Sequence, residues 1–133
     1  EETLLMLKPD GVMHKTMVLQ QLNQEHGFRM VKAKSVNMTP KDVMLWYPEL
    51  RNKEFFPSLQ RYLTRGPCYA VILERVDAIR GLRHLVGPTN PSIARQEAPW
   101  SIRAQIGLSV QENAVHASDS LEAVRREKAI LFS

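Results

Sequence analysis

The chain has 133 residues, of which 44% are hydrophobic and 24% are charged. These proportions are those of a folded globular protein and exclude a disordered chain, and the length suits one compact domain, residues 1–133, without an internal boundary. The longest apolar run, Cys68 to Leu73, is far shorter than the ~20 residues of a membrane span. We therefore expect a soluble protein without membrane association, with the cytoplasm as its default location.

Eighteen Lys and Arg residues against 14 Asp and Glu residues give a net charge of +4. This excess favours an anionic partner without identifying it, and basic residues that merely cover a solvated surface would explain it equally well. The single cysteine, Cys68, lies within an apolar run. It is expected to be a small core residue, because it has no cysteine in the chain with which to pair.

The first third of the chain predicts two strands around a helix. Thr3 to Leu7 is an apolar run stopped by Lys8-Pro9-Asp10-Gly11, which indicates a buried strand that leaves the sheet through a turn. Apolar residues at near-helical spacing predict a helix from Met13 to His26, with Gly27 as its stop. Phe28 to Met38 alternates imperfectly, which predicts a half-exposed strand with an irregularity.

The middle of the chain predicts helices followed by a second buried strand. Thr39-Pro40 is a cap followed by a first-turn proline, and it opens a short helix through Trp46. A second helical stretch is expected from Lys53 to Thr64, where Gly66-Pro67 closes it. The apolar run from Cys68 to Leu73 is typical of a buried strand.

The last third contains the longest irregular stretch. Asp77 is expected to cap a helix that ends at Gly87. Residues 89–106 include two prolines and show no clear period, so they predict a long loop, and such loops are usually functional or disordered. Val110 to Val115 is expected to form the last strand, before a final helix that runs through Leu131.

The order of these elements resembles the split β-α-β arrangement of ferredoxin-like folds. It predicts a single α+β domain with a four-stranded antiparallel sheet covered by helices. Ser118-Asp119-Ser120 supply candidate caps for the final helix. This architecture hosts many unrelated functions, so the chemistry must be argued from individual residues.

Four histidines are candidates for proton or phosphoryl chemistry. His26 lies at an expected helix end, His14 in a polar loop and His84 on a helix, and structural or surface roles explain all three. His116 differs because it lies within Asn113 to Ser120 (NAVHASDS), between a strand and a helix start, with only small residues after it. Catalysis is one reading of His116, and a structural histidine is the other.

Several motifs resemble those of nucleoside diphosphate kinases. NAVHASDS at 113–120 resembles the active-site signature of that family, and TLLMLKPDGV at 3–12 resembles its first strand and KPDG turn. Further segments match in the family's order: FFPSL at 55–59, RGP at 65–67, GPTNP at 87–91 and SIR at 101–103. The resemblance spans nearly the whole chain and implies a kinase.

The resemblance implies a ping-pong transfer of the γ-phosphoryl group from a nucleoside triphosphate to a nucleoside diphosphate through phosphorylated His116. It implies that Glu127 holds the imidazole ring and that Ser118 supports both residues. Tyr47 would lie near the nucleophile, and Lys8 would reach the sugar hydroxyl and the phosphates. From the residues alone, Glu127 is equally a solvated helix charge, Ser118 a helix cap and Tyr47 a core residue.

A nucleotide site follows from the same resemblance. Arg83 and Arg103 would hold the phosphates together with Thr89, and Asn113 would bind the ribose hydroxyl. Phe55 would stack on the base, which predicts broad nucleotide specificity because every base has a π-face. The remaining nucleotide contacts that the resemblance implies are Leu59 and Val110.

Magnesium is the cofactor that this chemistry implies. We expect Mg²⁺ to be held mainly by nucleotide phosphates and water, since it retains much of its hydration shell. The sequence has no Cys/His cluster or carboxylate cage that would build a metal site in the protein. It also has no GxxxxGK[ST] motif, which argues against a P-loop kinase.

Two departures from the family pattern concern the region near Arg103. Residues 91–101 are about three residues longer than is usual in the family, and Ala104-Gln105 replaces the common Gly-Asp. Family members are usually hexamers or tetramers, so a homo-oligomer is expected and its size is left open. The alternatives to an enzyme are a catalytically silent scaffold of the same fold and a nucleic-acid binder attracted by the basic charge.

Overall fold

One antiparallel sheet with the strand order β2-β3-β1-β4 forms the centre of the computed structural model, which describes residues 1–132. The sheet confirms the expected α+β, ferredoxin-like fold. The strands are β1 (Glu2–Leu7), β2 (Arg29–Val36), β3 (Cys68–Glu74) and β4 (Val115–Ala117). The α-helices are α1 (Lys15–His26), α2 (Pro40–Trp46), α3 (Phe56–Thr64), α4 (Ala78–Val86), α5 (Pro91–Glu97), α6 (Ile102–Ile106) and α7 (Leu121–Phe132).

Strand β1 pairs with β3 on one edge and β4 on the other, and its apolar residues from Leu4 to Leu7 are buried in a core on each face of the sheet. Successive side chains of a strand point to opposite faces. Leu5 and Leu7 therefore pack into one core, which includes Val18, Leu22, Phe28 and Leu82. Leu4 and Met6 pack into the other core, which includes Val43, Trp46, Leu63 and Leu131.

Strand β2 lies at the edge of the sheet and pairs only with β3. Its register shifts between Met30 and Lys32, which confirms the predicted irregularity. The strand is more exposed than expected, since only Val36 among its residues is partly covered. Arg29 is tied to Glu74 on β3 by an ion pair of 2.5 Å.

Helix boundaries agree with the capping signals at most positions. Gly27 adopts a left-handed conformation (φ 70°) at the end of α1, and Thr39 forms a reciprocal capping box with Asp42 at the start of α2. Three boundaries differ from the prediction. A 3₁₀ turn that includes His14 precedes α1, another spans Pro48–Leu50, and α3 begins at Phe56 instead of Lys53.

The prediction of a long irregular loop over residues 89–106 is wrong, because α5 and α6 lie within it. The prolines suggested interruption, but Pro91 is the first residue of α5, where a missing N–H costs nothing. Asn90 Oδ1 accepts a hydrogen bond from the backbone N–H of Ser92, at 2.9 Å. Ser101 Oγ caps α6 by accepting from the N–H of Ala104, at 3.3 Å.

Two further predictions need correction. The last strand spans Val115–Ala117 and not Val110 to Val115, because Ala114 has a left-handed backbone (φ 75°) that cannot continue a strand. Asp77 does not cap α4 with its side chain. Its carboxylate instead accepts a hydrogen bond from Arg80 Nε, at 3.0 Å.

Candidate active site

The pairing of β1 with β4 brings the KPDG turn next to His116. Met6 is paired with His116, and Leu7 with Val115. One residue beyond the strand, the N–H of Lys8 donates to the carbonyl oxygen of Ala114 at 2.8 Å. Two motifs that are more than 100 residues apart in the sequence therefore form one wall.

His116 is held by a buried carboxylate on α7. Its Nε2 lies 2.9 Å from Glu127 Oε1, and the hydroxyl of Ser118 donates to the same oxygen at 2.6 Å. A carboxylate only accepts hydrogen bonds, so Nε2 carries the ring proton and Nδ1 keeps its lone pair. Glu127 thus contacts the imidazole, Ser118 contacts Glu127, and Nδ1 is the unprotonated ring nitrogen.

The surroundings of His116 favour the neutral imidazole. Burial lowers the pKa of His116 below its ordinary value of 6.5, and this effect exceeds the opposite effects of the Glu127 hydrogen bond and charge. The ring of Trp46 contacts the imidazole edge-on at 5.1 Å between centroids, and the ring of Tyr47 lies at 6.4 Å. At neutral pH the neutral form of the ring is therefore favoured.

Lys8 is a buried amine in contact with Asn113. Its Nζ donates to Asn113 Oδ1 at 2.8 Å. Burial, followed by repulsion from Arg103, lowers the pKa of Lys8 to about 7. The amide nitrogen of Asn113 donates to the carbonyl oxygens of Thr89 and Val110, both at 3.1 Å. Asn113 therefore joins the turn after β1 to the two segments that carry Thr89 and Val110.

Arg103 supplies a half-buried cation. Its Nη1 donates to the carbonyl oxygen of Gly87 at 3.0 Å and its Nη2 to that of Val115 at 2.9 Å, while its buried Nε has no partner among residues 1–132. Burial lowers the pKa of Arg103 to about 10, and the nearby charge of Arg83 contributes. Arg103 remains charged at neutral pH. Arg83 is exposed in the last turn of α4.

A cavity of about 440 Å³ opens beside these groups. The residues predicted to bind nucleotide or lie near the nucleophile that line it are Lys8, Tyr47, Phe55, Leu59, Thr89, Val110 and Asn113. His116, Glu127, Ser118, Arg83 and Arg103 do not line this cavity. Sequence reasoning missed Leu50 and Gln111, which complete the wall. Gln111 could have been suspected from its place between Val110 and Asn113.

The charge of the wall suits a phosphate better than a metal ion. Within residues 1–132, no three His, Cys, Asp or Glu side chains are grouped so that they could hold a metal. The cavity wall contains Lys8 and no carboxylate. These residues fit a metal ion that arrives bound to nucleotide phosphates, because the protein itself supplies cations.

In the described part of the chain, no helix has the length and apolar character of a membrane span.

Comparison with known proteins gives the same family along the whole chain. The family model described as nucleoside diphosphate kinase matches residues 1–133. The nucleoside diphosphate kinase of Aquifex aeolicus is 38% identical and covers 100% of this chain, which spans 94% of that protein. That of Archaeoglobus fulgidus is 40% identical, with 100% of this chain and 87% of the relative covered.

Solved structures agree with the sequence matches. A crystal form of the Aquifex aeolicus nucleoside diphosphate kinase superposes with a TM-score of 0.93 at 38% identity, covering 100% of this chain and 95% of that one. The enzyme from Halobacterium salinarum in complex with CDP gives 0.89 at 33% identity, covering 100% and 88%. These matches confirm the expected enzyme class, a kinase. The chain belongs to the nucleoside diphosphate kinase family.

Proposed function

We propose that the chain transfers the γ-phosphoryl group between nucleotides in two steps through a phosphorylated His116. The observation that carries this proposal is the hydrogen bond of 2.9 Å between Nε2 and Glu127, which leaves Nδ1 with its lone pair. In the first step, Nδ1 forms a bond to the γ-phosphorus, and the bond between that phosphorus and the β,γ-bridging oxygen breaks. The nucleoside diphosphate leaves, and a second diphosphate takes the phosphoryl group by the reverse step.

Glu127 and Ser118 act as positioning residues in this scheme. The imidazole becomes positively charged as Nδ1 attacks, and the Glu127 carboxylate lies against its Nε2 proton. Ser118 holds the carboxylate through a hydrogen bond of 2.6 Å. Tyr47 packs edge-on near the same ring, with 6.4 Å between the ring centroids.

Basic residues hold the phosphates in the proposed complex. Phosphoryl transfer depends mainly on positioning and on positive charge near the transferring oxygens. Lys8 lies in the cavity wall, and Arg103 and Arg83 lie close enough to each other for their charges to interact. Thr89 adds a hydroxyl to the same wall. The relative in complex with CDP supports nucleotide binding by this fold.

The other end of the cavity suits a nucleoside. Phe55, Leu59 and Val110 form an apolar wall on which a base can stack, and Asn113 Oδ1, which accepts from Lys8, keeps a second lone pair for a ribose hydroxyl. Stacking distinguishes poorly between bases, so the proposed enzyme accepts a broad range of nucleotides. Bound Mg²⁺ would neutralise phosphate charge, held by phosphate oxygens and water.

A homo-oligomer and a cytoplasmic location belong to the same proposal. The edge strand β2 exposes Met30 and Val31, and an exposed sheet edge is a template for pairing with another copy of the chain. The proposed assembly is a hexamer or a tetramer. Cys68 is buried and free, which suits a reducing compartment.

Incubation with γ-labelled ATP and Mg²⁺, followed by intact mass and acid-lability analysis, tests the function. The expected result is one acid-labile phosphoryl group that added GDP removes. It should be absent from His116→Ala and present in the control His84→Ala, which changes an exposed histidine on α4. A folded parent that binds nucleotide and takes up no label would favour the silent scaffold. Binding of nucleic acid that survives His116→Ala would indicate the nucleic-acid alternative.

A further inference from the structure

A polar side chain at the apolar end of the cavity carries an inference beyond the family chemistry. Gln111 lines the cavity, and its Nε2 donates to the hydroxyl of Ser58 at 3.1 Å. Ser58 lies on α3 directly before Leu59, and Phe55 lies directly before that helix. The carboxamide of Gln111 is therefore anchored on the side of the cavity where the proposed enzyme stacks its base.

The segment around Gln111 is fixed to α3 at two points. Besides the bond to Ser58, Glu112 forms an ion pair of 2.7 Å with Arg65 at the end of the same helix. These two anchors are about two helical turns apart. The next residue, Asn113, is buried and bonded to Lys8. Gln111 is thus held in place before any ligand binds, which reduces the entropy that binding would cost.

The bond to Ser58 leaves the oxygen of the amide available. A glutamine offers one acceptor oxygen and two N–H donors. Ser58 accepts one N–H, so Oε1 and the second N–H have no protein partner among residues 1–132. With the amide held in one orientation, Oε1 and the second N–H pair with a base that presents an amino group beside an unprotonated ring nitrogen, as adenine (N6, N1) and cytosine (N4, N3) do. Hypoxanthine and uracil present the reverse order, a carbonyl beside a ring N–H, so acceptor would face acceptor and donor would face donor.

We propose that Gln111, oriented by Ser58, makes the site prefer nucleotides whose base carries an exocyclic amino group over those with a carbonyl at that position. The inference rests on the proposed nucleotide site and adds a modest bias to its broad specificity. One neutral hydrogen bond corresponds to a preference of roughly three- to tenfold. Gln111 would be a specificity residue without a part in the phosphoryl transfer itself.

Matched pairs of acceptors test the preference. ADP and IDP share a purine that differs in an amino group against a carbonyl, and CDP and UDP differ in the same way. Dissociation constants measured by calorimetry and kcat/KM measured with one common donor should favour ADP and CDP by about three- to tenfold. Gln111→Leu should bring both ratios within about twofold of one, through weaker binding of ADP and CDP.

Three further variants sharpen the result. Gln111→Glu keeps an acceptor oxygen and should keep the preference for amino bases. Ser58→Ala frees the amide of Gln111 to rotate and should lower the ratios. If Gln111→Leu does not fold, Ser58→Ala tests the role of Gln111 in its place. Gln24→Leu, an exposed glutamine on α1, is the matched control and should match the parent.

The base preference and the phosphoryl transfer can fail independently of each other. Ratios near one in the parent, a reversed preference, or ratios that persist in Gln111→Leu would overturn the role of Gln111. If no diphosphate accepts a phosphoryl group, the proposed function fails, and the ratios of dissociation constants still decide the role of Gln111.

Discussion

Burial sets the chemistry of individual side chains around His116. A buried cation loses its hydration, so its neutral form is favoured. A buried carboxylate needs hydrogen-bond donors to remain ionised. The structure satisfies Glu127, which is 2% exposed, with the His116 ring and the Ser118 hydroxyl. It leaves Lys8 with one amide oxygen as its side-chain acceptor.

The pair of His116 and Glu127 gives the first prediction. Glu127→Gln removes the charge that stabilises the ring as it becomes cationic, so the rate of phosphoenzyme formation should fall about 10²-fold. Rapid quenching with labelled ATP measures that rate. Glu122→Gln, an exposed position on the same helix, should leave it unchanged. An unaltered rate in Glu127→Gln would show that the ring needs no charged partner.

Lys8 gives a prediction about protons. Its pKa is about 7 in the free protein, below its ordinary value of 10.5, so the unfolded chain binds more protons between these values. Its contribution to the free energy of unfolding therefore rises with pH across that window. Bound phosphate favours the charged amine, so nucleotide binding at pH 8 should take up close to one proton.

Calorimetry in buffers of different ionisation enthalpy counts these protons. The uptake should disappear in Lys8→Met and persist in Lys15→Met, which changes a lysine stacked on Tyr69. Binding without proton uptake in the parent would mean that Lys8 is already charged in the free protein.

Arg83 gives a third prediction because its neighbour on α4 supplies a control. Arg83→Ala should lower turnover by at least roughly 10²-fold, the scale for loss of one charge partner of the transition state. Arg80→Ala removes the same charge from the same helix, but Arg80 is paired with Asp77 and should change little. Steady-state kinetics measure the turnover of both variants. Equal losses would indicate that only the net charge of the helix matters.

At the scale of elements, the turn after β1 and the segment before β4 must approach closely. A methyl group added to Gly11 would lie 2.3 Å from the carbonyl oxygen of Ala114, which is backbone and cannot move aside easily. Ala114 itself has a left-handed backbone that a side chain disfavours. The contact that aligns Lys8 with His116 therefore depends on glycine at position 11.

Gly11→Ala should lower the free energy of unfolding by about 1–3 kcal/mol, the cost of overpacking. Gly66→Ala is the matched control, because its added methyl group would meet only Pro9 Cβ at 3.8 Å. It should change the free energy by less than about 0.5 kcal/mol. Chemical denaturation measures both, and equal stability of the two variants would refute the close approach.

At the scale of the whole molecule, the exposed edge strand β2 is the surface that we propose for self-association. Val31 is 40% exposed at the register shift, and a charge on an edge strand discourages pairing. Val31→Lys should therefore reduce the mass of the assembly measured by light scattering. Val76→Lys places the same charge at a position that is 88% exposed outside the strands and should keep the parent's mass. An unchanged mass in Val31→Lys would place the interface elsewhere.

Local patterns in the sequence determined most elements. The apolar run of β1, the glycine after α1 and the Thr39 cap act within a few residues of the chain, so their consequences are visible without the fold. The motif around His116 likewise identified the family. Two helices were missed because the prolines in residues 89–106 were read as interruptions, although Pro91 begins a helix.

Only the tertiary structure decided how distant segments meet. The pairing of Met6 with His116, the hydrogen bond of Glu127 to the ring and the anchoring of Gln111 on α3 join residues separated by many positions in the chain. Burial of Lys8 and Arg103, which sets their pKa values, also follows from packing. A sequence states which groups are present, and their desolvation and their partners are fixed only when the sheet and its helices close around them.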